Sequence, residues 1–243
     1  MILEARQLSK SFGGVRALSN VGFSVGAGEL LAMIGPNGAG KTTCFNLING
    51  QLRPDSGAIV LEGNDIQGLA PRQRYRLGVG RTFQVAETFG SMTVRENVQL
   101  ALMSSERRLI SMWSGLDKEG EAEEFLAQVG MRDQAVRPCS VLAYGDLKRV
   151  ELAIALAGRP RLLLMDEPAA GMAHAERGEL MRLATRLARE LGIAVLFTEH
   201  DMDVVFGHAD RVIVLAEGEL IAEGAPAEIR VDRRVREVYL GDV

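Results

Sequence analysis

The 243-residue sequence predicts an α/β fold with a mainly parallel core sheet, antiparallel strands near the N-terminus and an inserted helical subdomain. Three observations lead to this class. Short apolar runs of strand length recur towards both ends of the chain, helical patterns separate the later runs, and residues 85–158 contain no convincing strand. Apolar strands that alternate with helices are typical of a sheet covered on both faces.

The predicted strands follow from short runs of apolar and β-branched residues, several of them continuous enough for buried strands. Gly and Asn turns join the early runs, which indicates antiparallel pairing there. The runs span residues 2–8, 21–25, 30–34, 58–61, 162–165, 194–198 and 211–216.

Helical patterns occur at residues 42–49, 175–191 and 202–208. The first follows a Gly-rich turn, and Gly192 closes the second. The tail opens with Pro226, a residue favoured at the first position of a helix, and predicts one helix followed by a short charged helix.

Residues 85–158 differ from their surroundings because Met, Leu, Glu and Arg recur there at helical spacing. Thr93 and Glu96 have the spacing of a capping box ahead of an apolar run. We therefore expect one domain over 1–243, in which 1–84 and 159–243 form the α/β core and 85–158 form the helical subdomain.

Composition restricts the class of protein. Hydrophobic residues make up 47% and charged residues 25%, as in globular domains. Twenty-eight Lys and Arg against 32 Asp and Glu give a net charge of −4, with no sign of general nucleic-acid binding.

Cys44 and Cys139 form no CxxC pair, so we expect structural thiols in a reducing compartment rather than a zinc or iron–sulfur site. No apolar run approaches the roughly 18–20 residues that cross a bilayer, and charges near the N-terminus argue against a signal peptide.

The strongest motif is Gly-Pro-Asn-Gly-Ala-Gly-Lys-Thr at 35–42, a complete GxxxxGK[ST] between a predicted strand and a predicted helix. Its backbone N–H groups and the helix N-terminus can hold phosphate oxygens. Lys41 adds a positive charge, Thr42 a hydroxyl for Mg²⁺ and Thr43 a donor for an α-phosphate. The phosphate-binding residues are Gly35, Pro36, Asn37, Gly38, Ala39, Gly40, Lys41, Thr42 and Thr43.

Two adjacent carboxylates end the apolar run 162–165. Alternation along a strand predicts that Asp166 and Glu167 point in different directions and serve different roles. Asp166 fits a Mg²⁺ site, and Glu167 fits a general base that activates water. A solvated acidic strand end is the structural alternative.

Three further sites carry polar groups suited to phosphate chemistry. Gln84 ends the α/β segment, where its amide could reach Mg²⁺ or the attacking water. His200 follows a predicted strand, where its imidazole could bind a γ-phosphate. Residues 142–146 open a helix whose N-terminus, at Tyr144 and Gly145, suits a phosphate arriving from outside. Alone, Gln84 or His200 would be structural, the interpretation we keep for His174 and His208.

Together these residues resemble the ATP-binding cassette (ABC) family over essentially the whole chain. Phe12 matches the aromatic residue that stacks on adenine in that family. Residues 35–43 match the Walker A motif, 162–167 Walker B with the catalytic glutamate, Gln84 the Q-loop, 142–146 the signature loop, 169–173 the D-loop and His200 the switch histidine. The resemblance implies a P-loop NTPase core that binds ATP and Mg²⁺. Its expected metal site comprises Thr42, Gln84 and Asp166.

Within the family, several stretches of the sequence are similar to those of ATPases of branched-chain amino-acid importers. The similar stretches are 80–84, 92–98, 142–145, 166–172, 199–202 and 238–241. Ala143 stands where the general signature has Ser, and Asp146-Leu147 replace a Gln-rich sequence. Ala173 stands where the D-loop usually has Asp or Asn. These changes remove donors and acceptors from the expected dimer interface.

The resemblance implies two cassettes facing head to tail, with each ATP between one Walker A motif and the other signature loop. ATP then favours closure, and hydrolysis removes the bridge. The implied partners are a second ATPase, identical or not, integral-membrane permease subunits and, indirectly, an external solute-binding protein. The expected location is the cytoplasmic face of the cell membrane.

Three alternative functions stay open at this stage. One is a soluble non-transport ABC ATPase that acts on a protein scaffold. Another is the ATPase of a lipid or lipopolysaccharide exporter, since an ATPase chain does not itself indicate direction. The third, a small-molecule P-loop kinase, has no use for the signature segment.

Overall fold

The computed structural model describes residues 1–82, 88–105 and 118–240. Its strands are β1 (Leu3–Phe12), β2 (Val15–Val25), β3 (Leu30–Ile34), β4 (Ser56–Leu61), β5 (Asn64–Asp65), β6 (Val79–Thr82), β7 (Leu162–Asp166), β8 (Ala194–Thr198), β9 (Arg211–Ala216) and β10 (Glu219–Gly224). Its helices are α1 (Lys41–Asn49), α2 (Pro71–Arg76), α3 (Val94–Ser105), α4 (Lys118–Gln128), α5 (Tyr144–Ala157), α6 (His174–Leu191), α7 (Met202–His208), α8 (Pro226–Val231) and α9 (Arg233–Leu240).

The larger sheet has the order β10-β9-β3-β8-β7-β6. The strands from β9 to β6 are parallel, and β10 is antiparallel to β9. Every residue of β3 and β8 is buried. Along β3, Leu30, Ala32 and Ile34 belong to one buried cluster, whereas Leu31 and Met33 belong to another. The sheet is therefore covered on both faces, which explains the continuous apolar runs.

The second sheet has the order β2-β1-β4-β5 and is antiparallel throughout. Between β6 and β7 in the chain, helices α3, α4 and α5 pack against one another. The α3 residue Arg95 forms ion pairs with Glu119 and Glu123 of α4. The predicted class, an α/β core with antiparallel strands and an inserted helical part, is confirmed.

The capping box at α3 is present as predicted. The Thr93 N–H donates to Glu96 Oε2 at 2.7 Å, and the Glu96 N–H donates to Thr93 Oγ1 at 3.2 Å. These bonds satisfy two backbone donors of the first turn.

Some strands were missed or predicted too short. Strands β5, β6 and β10 lie at sheet edges, and polar residues or glycine interrupt their apolar pattern. The β1–β2 ladder continues to the pair Phe12 and Val15, beyond the predicted strand ends. Its outer part is mostly exposed, so no apolar run marks it in the sequence.

A fully buried arginine fixes the C-terminus of α1. Arg74 Nη1 donates to the carbonyl oxygens of Leu47 and Ile48 at 2.6 and 2.7 Å. The remaining guanidinium donors bind the carbonyls of Gln67 and Leu69, both at 3.0 Å. These carbonyls have a charged partner in a region without access to water, so α1 is anchored at its far end.

We expect Arg74→Ala to lower the free energy of unfolding by at least about 3 kcal/mol, because it leaves buried carbonyls unpaired. Urea denaturation measures the change. Arg76→Ala is the matched control, since Arg76 is exposed on the same helix and should alter stability by no more than about 0.5 kcal/mol. Equal, small effects of the two substitutions would show that the cap is dispensable.

Candidate functional site

The loop after β3 turns sharply into α1. Gly40 has φ 103°, and a Cβ there would lie 2.6 Å from the carbonyl oxygen of Ala17. A Cβ at Gly35 would lie 2.2 Å from the carbonyl oxygen of Leu215. Both positions therefore require glycine, which lets the loop pack against neighbouring backbone.

The N-terminus of α1 has no side-chain cap. Its first backbone N–H groups therefore have no capping side chain, and the helix dipole places partial positive charge there. Lys41, the first residue of α1, donates from Nζ to the carbonyl oxygens of Gly35 and Pro36 at 2.6 and 3.0 Å. Burial lowers the pKa of Lys41, while the charges of Glu167 and Asp166 act in the opposite direction. This end of the helix is suited to binding an anion, and two carboxylates lie close by.

A cavity of about 200 Å³ lies over this helix end. It joins the loop to two residues from other strands, Glu167 after β7 and His200 after β8. Its lining comprises Ala17, Asn37, Gly38, Ala39, Gly40, Lys41, Thr42, Thr43, Glu167 and His200. The structure thus brings most of the predicted phosphate-binding loop together with the predicted base and the predicted switch histidine.

Asp166 and Glu167 have different partners. Asp166 Oδ1 accepts from Thr198 Oγ1 at 2.9 Å, and Oδ2 pairs with Arg81 Nη2 at 3.0 Å. Glu167 Oε1 lies 3.0 Å from His200 Nε2. The two carboxylates have different partners, as the sequence predicts, but strand alternation is not the reason. Strand β7 ends at Asp166, and Glu167 adopts φ 47°, so a left-handed backbone separates the two side chains.

Arg81 is a site residue to which the sequence interpretation gave no role. From β6 it reaches Asp166, and its Nη1 also donates to Asn46 Oδ1 at 2.9 Å and to Gln51 Oε1 at 3.0 Å. The guanidinium therefore connects the strand before Gln84 to α1 and to the end of β7. No local pattern indicates this role, because β6 is an edge strand that the sequence does not predict and its pairing with β7 appears only in the folded chain.

Other predicted site residues lie elsewhere. Gln84 falls outside the described residues. Phe12 ends β1 with its side chain 46% exposed, and Lys10 Nζ lies 5.6 Å from the centre of its ring. Tyr144 and Gly145 begin α5 and do not line the cavity. Tyr144 is 38% exposed, so it is accessible to another molecule.

The N-termini of α5 and α6 lie side by side. Ala143 and Ala173 are their N-cap residues, and neither supplies a side-chain hydrogen-bond acceptor. A Cβ at Gly171 would lie 3.5 Å from the Tyr144 ring. The exposed residues Gly171 and Ala173 therefore lie on the same surface as Tyr144.

Both cysteines are buried and free. Burial raises the pKa of Cys44 to about 12 and also raises that of Cys139. Among the described residues, His, Cys, Asp and Glu form no group of three or more able to hold a metal ion. In the same ranges, no helix has both the length and the apolar character needed to span a membrane.

A family model described as ABC transporter matches residues 18–170, more than half of the chain. The high-affinity branched-chain amino acid transport ATP-binding protein BraF of Pseudomonas aeruginosa is 40% identical, covering 99% of this chain and 98% of that protein. The chain belongs to the ABC transporter family.

Other ABC relatives match over comparable lengths. The ATP-binding protein LivG of Salmonella typhimurium, from a high-affinity branched-chain amino acid transport system, is 38% identical over 99% of this chain and 98% of its own. The lipopolysaccharide export system ATP-binding protein LptB of Haemophilus influenzae is 33% identical with the same coverage. A second family model, described as branched-chain amino acid ATP-binding cassette transporter, matches residues 219–243.

Solved ABC structures share the fold. A nucleotide-free ATP-binding cassette has a TM-score of 0.87 and 31% identity, covering 99% of both chains. The ADP conformation of a cassette has a TM-score of 0.86 and 32% identity with the same coverage. A dimeric post-hydrolysis cassette with ADP and Pi has a TM-score of 0.79 and 27% identity, covering 93% of this chain and 99% of the other.

We expect Lys41→Ala to reduce MgATP affinity by at least about 100-fold, since each hydrogen bond to a charged group contributes roughly 1.5–3 kcal/mol. The fold should be retained, because the present bonds of Lys41 go to carbonyl oxygens of its own loop, at Gly35 and Pro36, and not to another element. Isothermal titration calorimetry measures the affinity. Lys118→Ala, on α4 away from the cavity, should bind like the wild type. Wild-type affinity in Lys41→Ala would contradict the assignment of this loop.

Proposed function

We propose that this chain is the ATP-binding and ATP-hydrolysing subunit of an ABC importer for branched-chain or related amino acids. The observation that carries the proposal is the cavity in which the loop 35–43, Glu167 and His200 meet. The substrate class rests on the similarity to BraF and LivG and on the family match at residues 219–243.

In this proposal the cavity holds the phosphates of ATP. Backbone N–H groups of the loop and of the first turn of α1 bind the β- and γ-phosphates, and Lys41 supplies a positive charge. Thr43 donates to the α-phosphate. Phe12 stacks on adenine, and the ion pair of Lys10 with Asp55, at 2.8 Å, supports the strand end that carries Phe12.

Mg²⁺ fits the donors that are present. Mg²⁺ prefers hard oxygen ligands and uses few protein groups together with substrate phosphates. Thr42 offers an exposed hydroxyl at the cavity, and Asp166 offers a carboxylate that Arg81 and Thr198 hold in place. We assign these residues, with Gln84, to the Mg²⁺ site. When bound, the ion neutralises charge on the phosphates.

Hydrolysis requires a group that takes a proton from water. We assign that role to the Glu167 carboxylate, which stands at the cavity wall. His200 bonds to Glu167 at 3.0 Å and also lines the cavity, so it can orient the carboxylate and bind a γ-phosphate oxygen. The two residues then act as one unit.

Tyr144 and Gly145 are assigned to the ATP of a second cassette. They are absent from the lining of their own chain's cavity, and the α5 N-terminus lacks a side-chain cap. A dimer is the form of one solved relative. In this arrangement the phosphate bridges two molecules, so ATP favours closure and hydrolysis favours separation.

We assign the permease contact to a mainly apolar groove of about 530 Å³ between the core and the helices α3 and α5. Exposed Phe89 and Leu100 stand at this groove. Its lining comprises Asn49, Pro71, Arg72, Tyr75, Val79, Gly80, Arg81, Phe89, Asn97, Leu100, Ala101, Ser104, Ile154 and Ala155. An apolar surface of this kind suits a membrane-protein partner, which would hold the chain at the inner face of the membrane.

An exporter role has support from the relative LptB, but identity to BraF is higher, at 40% against 33%. The match at residues 219–243 is to a branched-chain amino acid transporter family. A soluble, non-transport ATPase would leave the apolar groove without a membrane partner. We therefore favour import.

We expect Glu167→Gln to bind MgATP like the wild type and to hydrolyse it at least about 100-fold more slowly, because the amide accepts a proton poorly. Calorimetry and phosphate release measure the two properties. Glu190→Gln, an exposed change on α6, is the matched control. Turnover close to wild type in Glu167→Gln would show that another group is the base.

The same variant tests the transport proposal in the cell. With its own permease and binding protein, we expect wild-type protein to restore uptake of radiolabelled leucine to a strain lacking this chain, and Glu167→Gln to fail. Normal leucine uptake without this chain, combined with lipopolysaccharide retained at the inner membrane, would contradict import and support export.

We expect Ala143→Ser to strengthen the ATP-bound dimer in the Glu167→Gln background. A serine N-cap adds a donor at the phosphate-facing end of α5, worth about 1.5–3 kcal/mol when it binds a charged oxygen. The gain corresponds to roughly 10- to 150-fold in the dimer dissociation constant, measured by analytical ultracentrifugation with ATP. An unchanged constant would show that backbone N–H groups already saturate the phosphate.

A further inference from the structure

Four consecutive residues, 198–201, contact the end of β7, the segment that follows it and the first turn of α6. Thr198 binds Asp166, and His200 binds Glu167. Glu199 binds Ala169, the first residue of the segment Ala169–Ala173, which we call the D-segment, and Asp201 binds Arg177 of α6. The end of β8 is therefore joined to the D-segment directly through Glu199 and indirectly through Arg177, and not only at the reacting groups.

Glu199 holds the first residue of the D-segment. Its Oε1 accepts the backbone N–H of Ala169 at 2.8 Å, and its side chain is only 5% exposed. Burial and the charge of Glu167 raise the pKa of Glu199, whereas the hydrogen bond from Ala169 and the charge of Arg177 lower it. Burying a carboxylate costs free energy unless the carboxylate is hydrogen-bonded, and a smaller apolar residue at this position would avoid that cost.

Arg177, on the first turns of α6, holds the other end. Its Nε donates to the carbonyl oxygen of Met172 at 2.8 Å, and its Nη1 donates to Asp201 Oδ2 at 2.9 Å. Asp201 is in turn the N-cap of α7 and accepts the N–H of Asp203 at 3.0 Å. The guanidinium thus links the D-segment to the residue directly after His200.

We propose that Glu199 and Arg177 are positioning residues that transmit the position of the D-segment to His200 and Glu167. The proposal rests on the proposed function, because the D-segment lies beside Tyr144 on the surface assigned to the second cassette. A partner that presses on the exposed residues Gly171 and Ala173 moves the D-segment backbone, including buried Ala169 and Met172. The bonds of Glu199 and Arg177 carry that movement to both sides of His200. Hydrolysis then becomes fast only when the partner is in place.

The bonds of Glu199 and Arg177 are more important in this chain because residue 173 is alanine. It offers no side chain with which the D-segment could bind the partner directly. The orientation of the D-segment backbone must then come from within the same chain. Glu176 accepts the N–H of Ala173 at 3.4 Å, and Glu199 and Arg177 are the side chains that also connect this backbone to the residues on either side of His200.

The test compares Glu199→Ala with Glu199→Gln. Glutamine keeps the oxygen that accepts the Ala169 N–H, whereas alanine removes it. We expect Glu199→Ala to lower kcat of the ATPase reaction by about 10- to 100-fold while KM stays within about 2-fold, and Glu199→Gln to recover most of the rate. Arg177→Ala should behave like Glu199→Ala.

Arg189→Ala is the control for Arg177→Ala. Arg189 lies on the same helix and pairs with Asp210 at 2.8 Å, at the end of α6 away from the cavity. We expect it to change thermal stability only, with kcat within about 2-fold of wild type. If Arg189→Ala lowers kcat as much as Arg177→Ala, or if Glu199→Ala lowers stability but not kcat, the proposal is wrong.

A double-mutant cycle separates transmission through His200 from a general disturbance of the site. If Glu199 acts through His200, Glu199→Ala should lower kcat no further in a His200→Ala background. Fully additive losses would overturn the proposal. Failure of the proposed function is distinguishable, because ATPase activity would then survive both Glu167→Gln and His200→Ala.

Discussion

The site depends on the pairing of β8 between β3 and β7. Because the three strands are parallel, their carboxyl ends lie at one edge of the sheet. The phosphate-binding loop follows β3, Glu167 follows β7, and the strand that supplies His200 stands between them. One register, with Asp166 opposite Thr198, therefore sets the geometry of the reacting groups. A shift of that register would separate Glu167 from His200 by the length of a residue or more.

Charge is arranged around this edge so that each group has an internal partner. The Lys41 ammonium donates to loop carbonyls, Arg81 pairs with Asp166, and Glu167 bonds to His200. A nucleotide with Mg²⁺ brings both negative and positive charge, so it can replace or share these contacts with little rearrangement. The buried clusters on both faces of the sheet hold the backbone from which these side chains extend.

Local patterns were sufficient to predict much of the fold. Strand β3 and helix α7 have the predicted bounds, because a continuous apolar run and an Asp N-cap are strong local signals. The loop 35–43 and Glu167 could be predicted because their residue types and spacing are typical of phosphate chemistry. His200 alone would be read as structural, and only its combination with these motifs pointed to a role in the site. The edge strands β6 and β10 could not, since edge strands lack the apolar run of a central strand.

The remaining site features depend on tertiary contacts that leave no local signal. The φ of Glu167 follows from its bonds to the end of β8, and Arg81 gains its role only when β6 pairs with β7. Glu199 and Arg177 are far apart in the chain, and no spacing rule connects them. The apolar groove combines residues from α2, β6, α3 and α5, so it exists only in the folded chain.

The most direct test of this account is a crystal structure of Glu167→Gln with MgATP. The strand order predicts a γ-phosphate within hydrogen-bond distance of both Lys41 Nζ and His200 Nε2, with Tyr144 and Gly145 of a second copy on its opposite side. A nucleotide whose phosphates lie outside the loop 35–43, or a γ-phosphate with His200 turned away from it, would contradict the central claim.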